Sequence, residues 1–305
     1  MRTVYLGTSE FAVAVLRRLA ASPHRPALVV TPPDRPKGRG RKPAAPLAAA
    51  AARELGLDVY QTDRVSGEES VERLRASGAG IGVVCAFGQL IREPLLSELE
   101  MLNVHPSLIP RWRGAAPIER AIMAGDTETG VTIMRVEAGL DSGPVALAES
   151  TPIEPVDDYG TLSARLAELG GELTLRALDL YSAGQPELTD QDDSLATYAE
   201  KIAPAERRLD PARPAVELER TVRALNPHVG AYLELDGEGR LGIRAASAQD
   251  GALAPGQLAA DGSALLLGCG EGVLRLEVVQ PAGRRSMPAD AYLRGHPPPR
   301  VAGRF

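Results

Sequence analysis

The chain contains four histidines, His24, His105, His228 and His296, and His105 keeps the company that chemistry can use. It follows Asn103 by two residues in NVHPSLIPRWRGAAPIERA (103–121), and Asp141 stands further on in GLDSGPV (139–145), between Gly139 and Gly143. Residues 101–105 (MLNVH) predict a strand, so the two-residue spacing sends Asn103 and His105 to the same side. An amide, an imidazole and a carboxylate suffice for acyl transfer to an amine. Asn103 can donate to the oxygen that gains negative charge. His105, held by Asp141, can donate a second hydrogen bond or carry off the proton that the amine loses. No Ser or Cys nucleophile is needed, because a deprotonated amine attacks an activated acyl donor directly. Taken without context, the same residues also read as a strand-end cap, a partly buried polar side chain and a stabiliser of its own turn.

The elements that must position these groups are legible as alternating apolar runs. TVYLG (3–7) predicts a buried strand and Glu10 to Ala20 a helix, with Ser9 as its N-cap. Strands follow at 27–31, 57–60, 81–85 and 101–105, with helical stretches between them, the alanine-rich 46–55 among these. This βαβ rhythm predicts an α/β, Rossmann-like domain with a mainly parallel sheet, whose ligand crevice opens at the C-terminal strand ends. Strands at 130–136 and 145–149 and a helix over 159–183 complete it. The polar stretch 184–193 reads as a domain exit. Beyond residue 208 the texture changes: a helix over Ala215 to Leu225 precedes short strands at 231–235, 240–245, 264–267 and 273–279, separated by Gly-rich turns. That pattern predicts a small antiparallel, OB-like β-barrel. The expected boundaries are 1–190, a linker over 191–207, and 208–305.

Several familiar signatures are missing or misplaced. GTSEF after the first strand lacks the further glycines of a dinucleotide fingerprint, so a nicotinamide site is not expected. No Walker, HExxH or GxSxG sequence occurs, and Cys85 and Cys269 are too few for a cysteine zinc site or a disulfide framework. No metal is expected. Glu10, Arg17 and Arg18 interrupt any apolar leader, and no run approaches the roughly 20 residues of a membrane span. A cytoplasmic monomer is the expectation.

The stretch from Asn103 to Val145 resembles, nearly residue for residue, the signature of the folate-dependent formyltransferases. The resemblance implies that Asn103, His105 and Asp141 are catalytic and that 10-formyltetrahydrofolate is the formyl donor. The family's folate-contacting S-L-L-P segment is matched by Ser107, Leu108, Ile109 and Pro110, and its pterin-lining segment by FGQLI (87–91), with recognition near Gln89 and Leu90. Three further segments resemble the family members that formylate methionine carried by initiator tRNA. These are GTSEFAVAVL (7–16), TPPDRPKGRGRKPAAP (31–46), and 197–237 together with 280–295. The second implies an arm that grips the acceptor stem through Arg35, Lys37, Arg39, Arg41 and Lys42.

Charge distribution permits such a partner. The net charge is −6, but residues 149–193 hold eleven acidic groups against two basic ones, leaving +3 for the rest. Residues 35–42 carry five positive charges, and 280–305 carry five arginines against one aspartate. Phosphate contacts by such patches would dominate affinity. Without that context a basic, Gly-rich loop is also an ordinary solvated surface. Trp112, the only tryptophan, reads either as a stacking platform or as a core anchor. The rival readings are a formyltransferase acting on an amino-sugar nucleotide and a non-catalytic RNA-binding protein on the same scaffold.

Overall fold

Every side chain of TVYLG is buried, which places this strand inside a sheet covered on both faces. In the computed structural model, which describes residues 1–37, 42–184, 187–237, 239–299 and 301, it forms β1 (Thr3–Gly7). The chain continues through α1 (Glu10–Ala20), β2 (Pro26–Thr31), β3 (Arg35–Lys37), β4 (Lys42–Ala44), α2 (Leu47–Glu54), β5 (Val59–Gln61), α3 (Glu68–Ala76) and β6 (Ile81–Cys85). Then come α4 (Leu95–Glu98), β7 (Met101–His105), β8 (Arg113–Gly114), α5 (Pro117–Ala124), β9 (Glu128–Arg135), β10 (Val145–Pro152), α6 (Tyr159–Ala183) and β11 (Tyr198–Ala199). The Ser9 hydroxyl accepts from the Ala12 N–H at 3.3 Å and starts α1 where the sequence predicts.

The main sheet has seven strands in the order β10-β9-β7-β6-β1-β2-β5. Strands β7, β6, β1, β2 and β5 run parallel; β9 is antiparallel to β7, and β10 is antiparallel to β9. The chain winds from β1 out to β5 and then returns to β6 on the other side of β1, which makes the β1/β6 boundary the topological switch point. Val4, Leu6, Leu28, Val30 and Val84 share one apolar cluster with Val71 and Leu74 of α3 and Leu95 of α4. On the opposite face the Tyr5 hydroxyl donates to the Ala12 carbonyl of α1 at 2.6 Å. A Cβ added at Gly7 would lie 2.9 Å from the Cys85 carbonyl oxygen, so glycine permits the close approach of β1 to β6 at this end.

Strands β3 and β4 pair as an antiparallel hairpin inside the basic segment, with Lys37 opposite Lys42. Arg39 and Arg41 lie outside the described residues. Contact clustering divides the chain into two units that are not collinear with the sequence. The first is Met1–Pro117, Glu128–Pro152 and Ser163–Ala199; the second is Ile118–Thr127, Ile153–Leu162 and Glu200–Phe305.

The second unit contains α7 (Ala215–Leu225), β12 (Ala231–Leu235), β13 (Gly239–Gln249), β14 (Leu258–Asp261), β15 (Ala264–Gly268), β16 (Val273–Pro281), β17 (Met287–Pro288) and α8 (Ala289–Leu293). Its antiparallel sheet has the order β12-β13-β16-β15-β14, with β17 pairing on β16. Leu218, Val222 and Leu225 of α7 pack with Leu233, Ile243, Leu265, Leu274 and Leu276 and with Tyr292 of α8. Alternation along β12 buries Ala231, Leu233 and Leu235 on one face. Strand β14 carries one leucine followed by Ala-Ala-Asp, so no apolar run announces it. Among the described residues no helix is long and apolar enough to cross a membrane.

Candidate active site

Strand β7 ends at the open side of the sheet, and its register places Asn103 opposite Met134 and His105 opposite Thr132 of β9. The two side chains emerge together, as their spacing requires, and meet Asp141. The Asn103 amide donates to Asp141 Oδ1 at 3.1 Å, and His105 Nδ1 lies 3.6 Å from Asp141 Oδ2. The other imidazole nitrogen, Nε2, is 2.9 Å from the Trp112 carbonyl oxygen. A carbonyl only accepts, so Nε2 carries the hydrogen, and in the neutral ring Nδ1 offers a lone pair toward the carboxylate. The ring is 4% exposed. Burial pushes its pKa below the ordinary value of 6.5, against the smaller upward pulls of the Asp141 charge and the Trp112 carbonyl. His105 is therefore a neutral imidazole at physiological pH, with its hydrogen on Nε2 and its lone pair on Nδ1.

Asp141 sits at φ +48°, a left-handed conformation that Asp tolerates better than most residues. A Cβ at Gly143 would collide with the Arg135 carbonyl oxygen, which explains the second glycine of the turn. The Gly114 N–H donates to Asp141 Oδ2 at 2.8 Å. Gln191 holds the turn from outside: its Nε2 donates to the Asp141 carbonyl at 2.9 Å and to the Gly143 carbonyl at 2.6 Å. Its Oε1 accepts from Nε and Nη2 of Arg113 at 3.0 and 2.7 Å. Gln191, Gly114 and the Trp112 carbonyl are invisible to the sequence reading. Gln191 lies in a polar run whose composition reads as a linker, and backbone groups leave no mark on residue type.

The residues that resemblance pointed to for folate divide by what their side chains do. Ser107 is buried, and its hydroxyl donates to the Arg111 carbonyl at 2.6 Å, closing the loop after β7. The Ile109 N–H donates to Thr132 Oγ1 at 3.2 Å, and Thr132 in turn donates to the Ser107 carbonyl at 2.7 Å. A Cβ at Gly130 would collide with the Glu149 carbonyl and reach the Leu108 side chain, so Leu108 packs over β9; Pro110 accepts from the Thr197 N–H at 3.1 Å. The Gln89 side chain turns inward, accepting from the Val65 N–H at 3.1 Å and donating to the Thr62 carbonyl at 2.6 Å. Among the described residues the backbone groups of Gly88, Gln89 and Leu90 make no hydrogen bond, and the Leu90 side chain is 68% exposed. Free backbone donors and acceptors beside an exposed apolar side chain suit a flat heteroaromatic ring that carries both kinds of polar edge. In the hairpin, Arg35 lies 3.8 Å from Asp63. Trp112 is half-buried at φ +64°, with the Arg111 guanidinium 4.4 Å above its ring. Cys85 is fully buried, and its thiol pKa is pushed up to about 12 by desolvation, so it stays an inert thiol.

A mainly parallel sheet with an amide, an imidazole and a carboxylate converging at its strand ends, followed by a small antiparallel unit, fits one class of enzyme. The chain belongs to the formyl transferase family: the formyl transferase model matches residues 1–178, and the model of its C-terminal domain matches 201–297. Within that family it is similar to the methionyl-tRNA formyltransferase of Ruegeria pomeroyi, 43% identical over 98% of this chain and 99% of that one. The methionyl-tRNA formyltransferase of Methylococcus capsulatus is 45% identical over 97% of each chain. Among solved structures, HypX from Aquifex aeolicus in complex with tetrahydrofolic acid matches with a TM-score of 0.65 at 17% identity, over 96% of this chain and 47% of that one. The sugar 3N-formyl transferase WlaRD matches with a TM-score of 0.64 at 14% identity, over 93% and 99%. At these identities the structures share the fold.

Proposed function

We propose that this enzyme transfers the formyl group of 10-formyltetrahydrofolate to the α-amine of methionine esterified to initiator tRNA. Residues 1–190 would carry out the transfer, and 208–305 would form a tRNA-binding domain beyond the 191–207 linker. The enzyme would work in the cytoplasm as a monomer. The observation that carries the reading is the convergence of Asn103 and His105 on Asp141, all within 3.6 Å, in a chain similar over its whole length to methionyl-tRNA formyltransferases.

The donor supplies a formyl group already activated on nitrogen. What the protein must add is proton management and charge stabilisation. An α-amine with a pKa of about 7.7 to 8.0 is largely protonated at neutral pH and must lose a proton before it can attack. The bare Nδ1 of His105 and the carboxylate of Asp141 are two acceptors facing one small volume, and together they take that proton. One Asn103 amide hydrogen is engaged by Asp141; its second is free to stabilise the formyl oxygen as negative charge builds there. After attack the nitrogen carries a second surplus proton: protonated His105 Nδ1 delivers the first to the departing nitrogen, and the emptied pair then takes the second, which leaves to solvent. The free backbone groups at 88–90 would hold the pterin, with Ser107, Leu108, Ile109 and Pro110 shaping the floor beside it.

Arg35, Lys37, Arg39, Arg41 and Lys42, in the basic segment that follows β2 in sequence, would track acceptor-stem phosphates. The test is transfer of labelled formyl to methionine-charged initiator tRNA, with methionine-charged elongator tRNA as control. Label on the initiator alone is expected. Label on neither, with folded protein and charged tRNA, would send the search to amino-sugar acceptors.

A further inference from the structure

The stretch between the two family matches, residues 179–200, is covered by neither of them, yet it holds several groups around the site. Thr189 exchanges both backbone hydrogen bonds with Val145, at 2.8 and 2.9 Å, just beyond the Asp141 turn. Gln191 then reaches that turn. Further along, Thr197 and β11 lie against the segment that carries Trp112 and Gly114. The Trp112 N–H donates to Thr197 Oγ1 at 2.9 Å, the Arg113 N–H to the Thr197 carbonyl at 2.9 Å, and β11 pairs in parallel with β8. One short segment therefore supports the carbonyl that holds His105, the N–H that holds Asp141, and the turn on which Asp141 sits.

We propose that residues 189–199, which include the first part of the 191–207 linker, are a brace belonging to the catalytic unit, in which Gln191 is a positioning residue that keeps Asp141 aligned with His105 and Asn103. The inference rests on the roles given to Asp141 and His105 above. All the hydrogen-bonding capacity of the Gln191 amide is used: both N–H bonds go to carbonyls of the turn, and the oxygen takes two from Arg113. Carbonyls only accept and guanidinium only donates, so this amide has a single possible orientation. Arg113 is 3% exposed, an expensive place for a charge unless its partners are fixed. Its remaining bond goes to Asp193 at 2.6 Å, a residue of the same segment. A left-handed Asp141 is a strained arrangement that persists where its surroundings over-determine it, and two donors from one amide onto the carbonyls of residues 141 and 143 do so.

The consequence is read at His105. Among the described residues Asp141 is the charged group acting on the ring; β7 contributes the neutral Asn103 amide, and the 111–114 segment contributes the Trp112 carbonyl, with the Arg113 guanidinium turned to Gln191 and Asp193. Releasing the turn withdraws the negative charge that favours the imidazolium.

The experiment compares full-length wild type with Gln191→Ala, Gln191→Met and, away from the site, Tyr181→Phe, which removes only a hydrogen bond to Glu100. The readouts are the NMR titration of His105, assigned from the spectrum of His105→Gln, together with kcat and KM. Both Gln191 variants should lower the His105 midpoint and reduce kcat by roughly 10- to 100-fold with little change in KM. Tyr181→Phe should leave the midpoint where it was. Met restores volume without hydrogen bonds, so a brace that merely filled space would be rescued by it. An unmoved His105 midpoint in Gln191→Met overturns the proposal. The titration needs no turnover, so it decides this point even if the acceptor proves not to be tRNA.

Discussion

His105 Nδ1 and Asp141 Oδ2 stand 3.6 Å apart with no hydrogen between them, because the imidazole proton resides on Nε2 and is given to the Trp112 carbonyl. Two acceptors held just beyond hydrogen-bonding distance form a receptor for one proton. The gap is maintained by groups that hold each partner separately: Gly114 and Asn103 on the carboxylate, Trp112 on the ring. That arrangement suits a reaction in which a protonated amine must give up one proton before it attacks and a second afterwards.

Removing any member of the trio should damage chemistry and spare binding. Asn103→Ala, His105→Ala and Asp141→Ala are each expected to lower kcat by about 10²-fold or more, with tRNA affinity nearly intact. Asp141→Asn keeps the shape and deletes the charge. The carboxylate raises the His105 pKa, so its loss must lower that pKa, and the acid limb of the kcat profile should move to lower pH. Single-turnover rates across the pH range, beside filter-binding of charged tRNA, measure both.

His105 also makes stability pH-dependent. Its folded pKa is held below 6.5 by burial, so below that pH the unfolded chain binds a proton that the folded chain refuses. The contribution is fully present above about pH 6.5 and is lost as pH falls through the lowered folded value. Urea midpoints should therefore fall between about pH 7.5 and about pH 5.5 in wild type, and fall less in His105→Gln. Equal slopes would show that the ring titrates normally.

Gly114→Ala should be costly out of proportion to its size. The residue has φ +120°, and an added Cβ would lie 2.8 Å from the Ala199 carbonyl oxygen. The backbone penalty is on the order of 1 to 3 kcal/mol, and relieving the clash pushes the Gly114 N–H away from Asp141. Both a lower Tm and a kcat loss exceeding that of an ordinary loop substitution are expected, the first read by calorimetry and the second by formyl transfer.

Neutralising the arm should separate grip from chemistry. Arg41→Gln with Lys42→Gln is expected to weaken initiator-tRNA binding and reduce the slope of log K against log salt by about one to two, with single-turnover chemistry at saturation unchanged. Affinity measured at several salt concentrations checks it. Full affinity in the double variant would remove the arm from the interface.

Much of this protein can be read from residue order because the relevant physics is local. Uninterrupted buried runs such as IGVVC, the Ser9 cap and the two-residue spacing of Asn103 and His105 announce a covered parallel sheet with two polar side chains leaving one strand end together. The glycines flanking Asp141 announce a tight turn. What sequence order could not decide was which partner each polar group meets, since that depends on contacts between segments tens of residues apart. Asn103 and Asp141 are 38 positions apart, and Gln191 lies a further 50 along, in a run whose composition resembles any solvated connector. The tautomer of His105 follows from the backbone carbonyl of Trp112, a group that every residue carries and that residue type does not mark. Periodicity thus determined the sheet, and the resemblance of residues 103–145 pointed to the trio; three-dimensional closure of the 111–114 segment onto His105 and of 189–199 onto the Asp141 turn decided which partner each polar group meets, because those contacts join residues far apart in the chain.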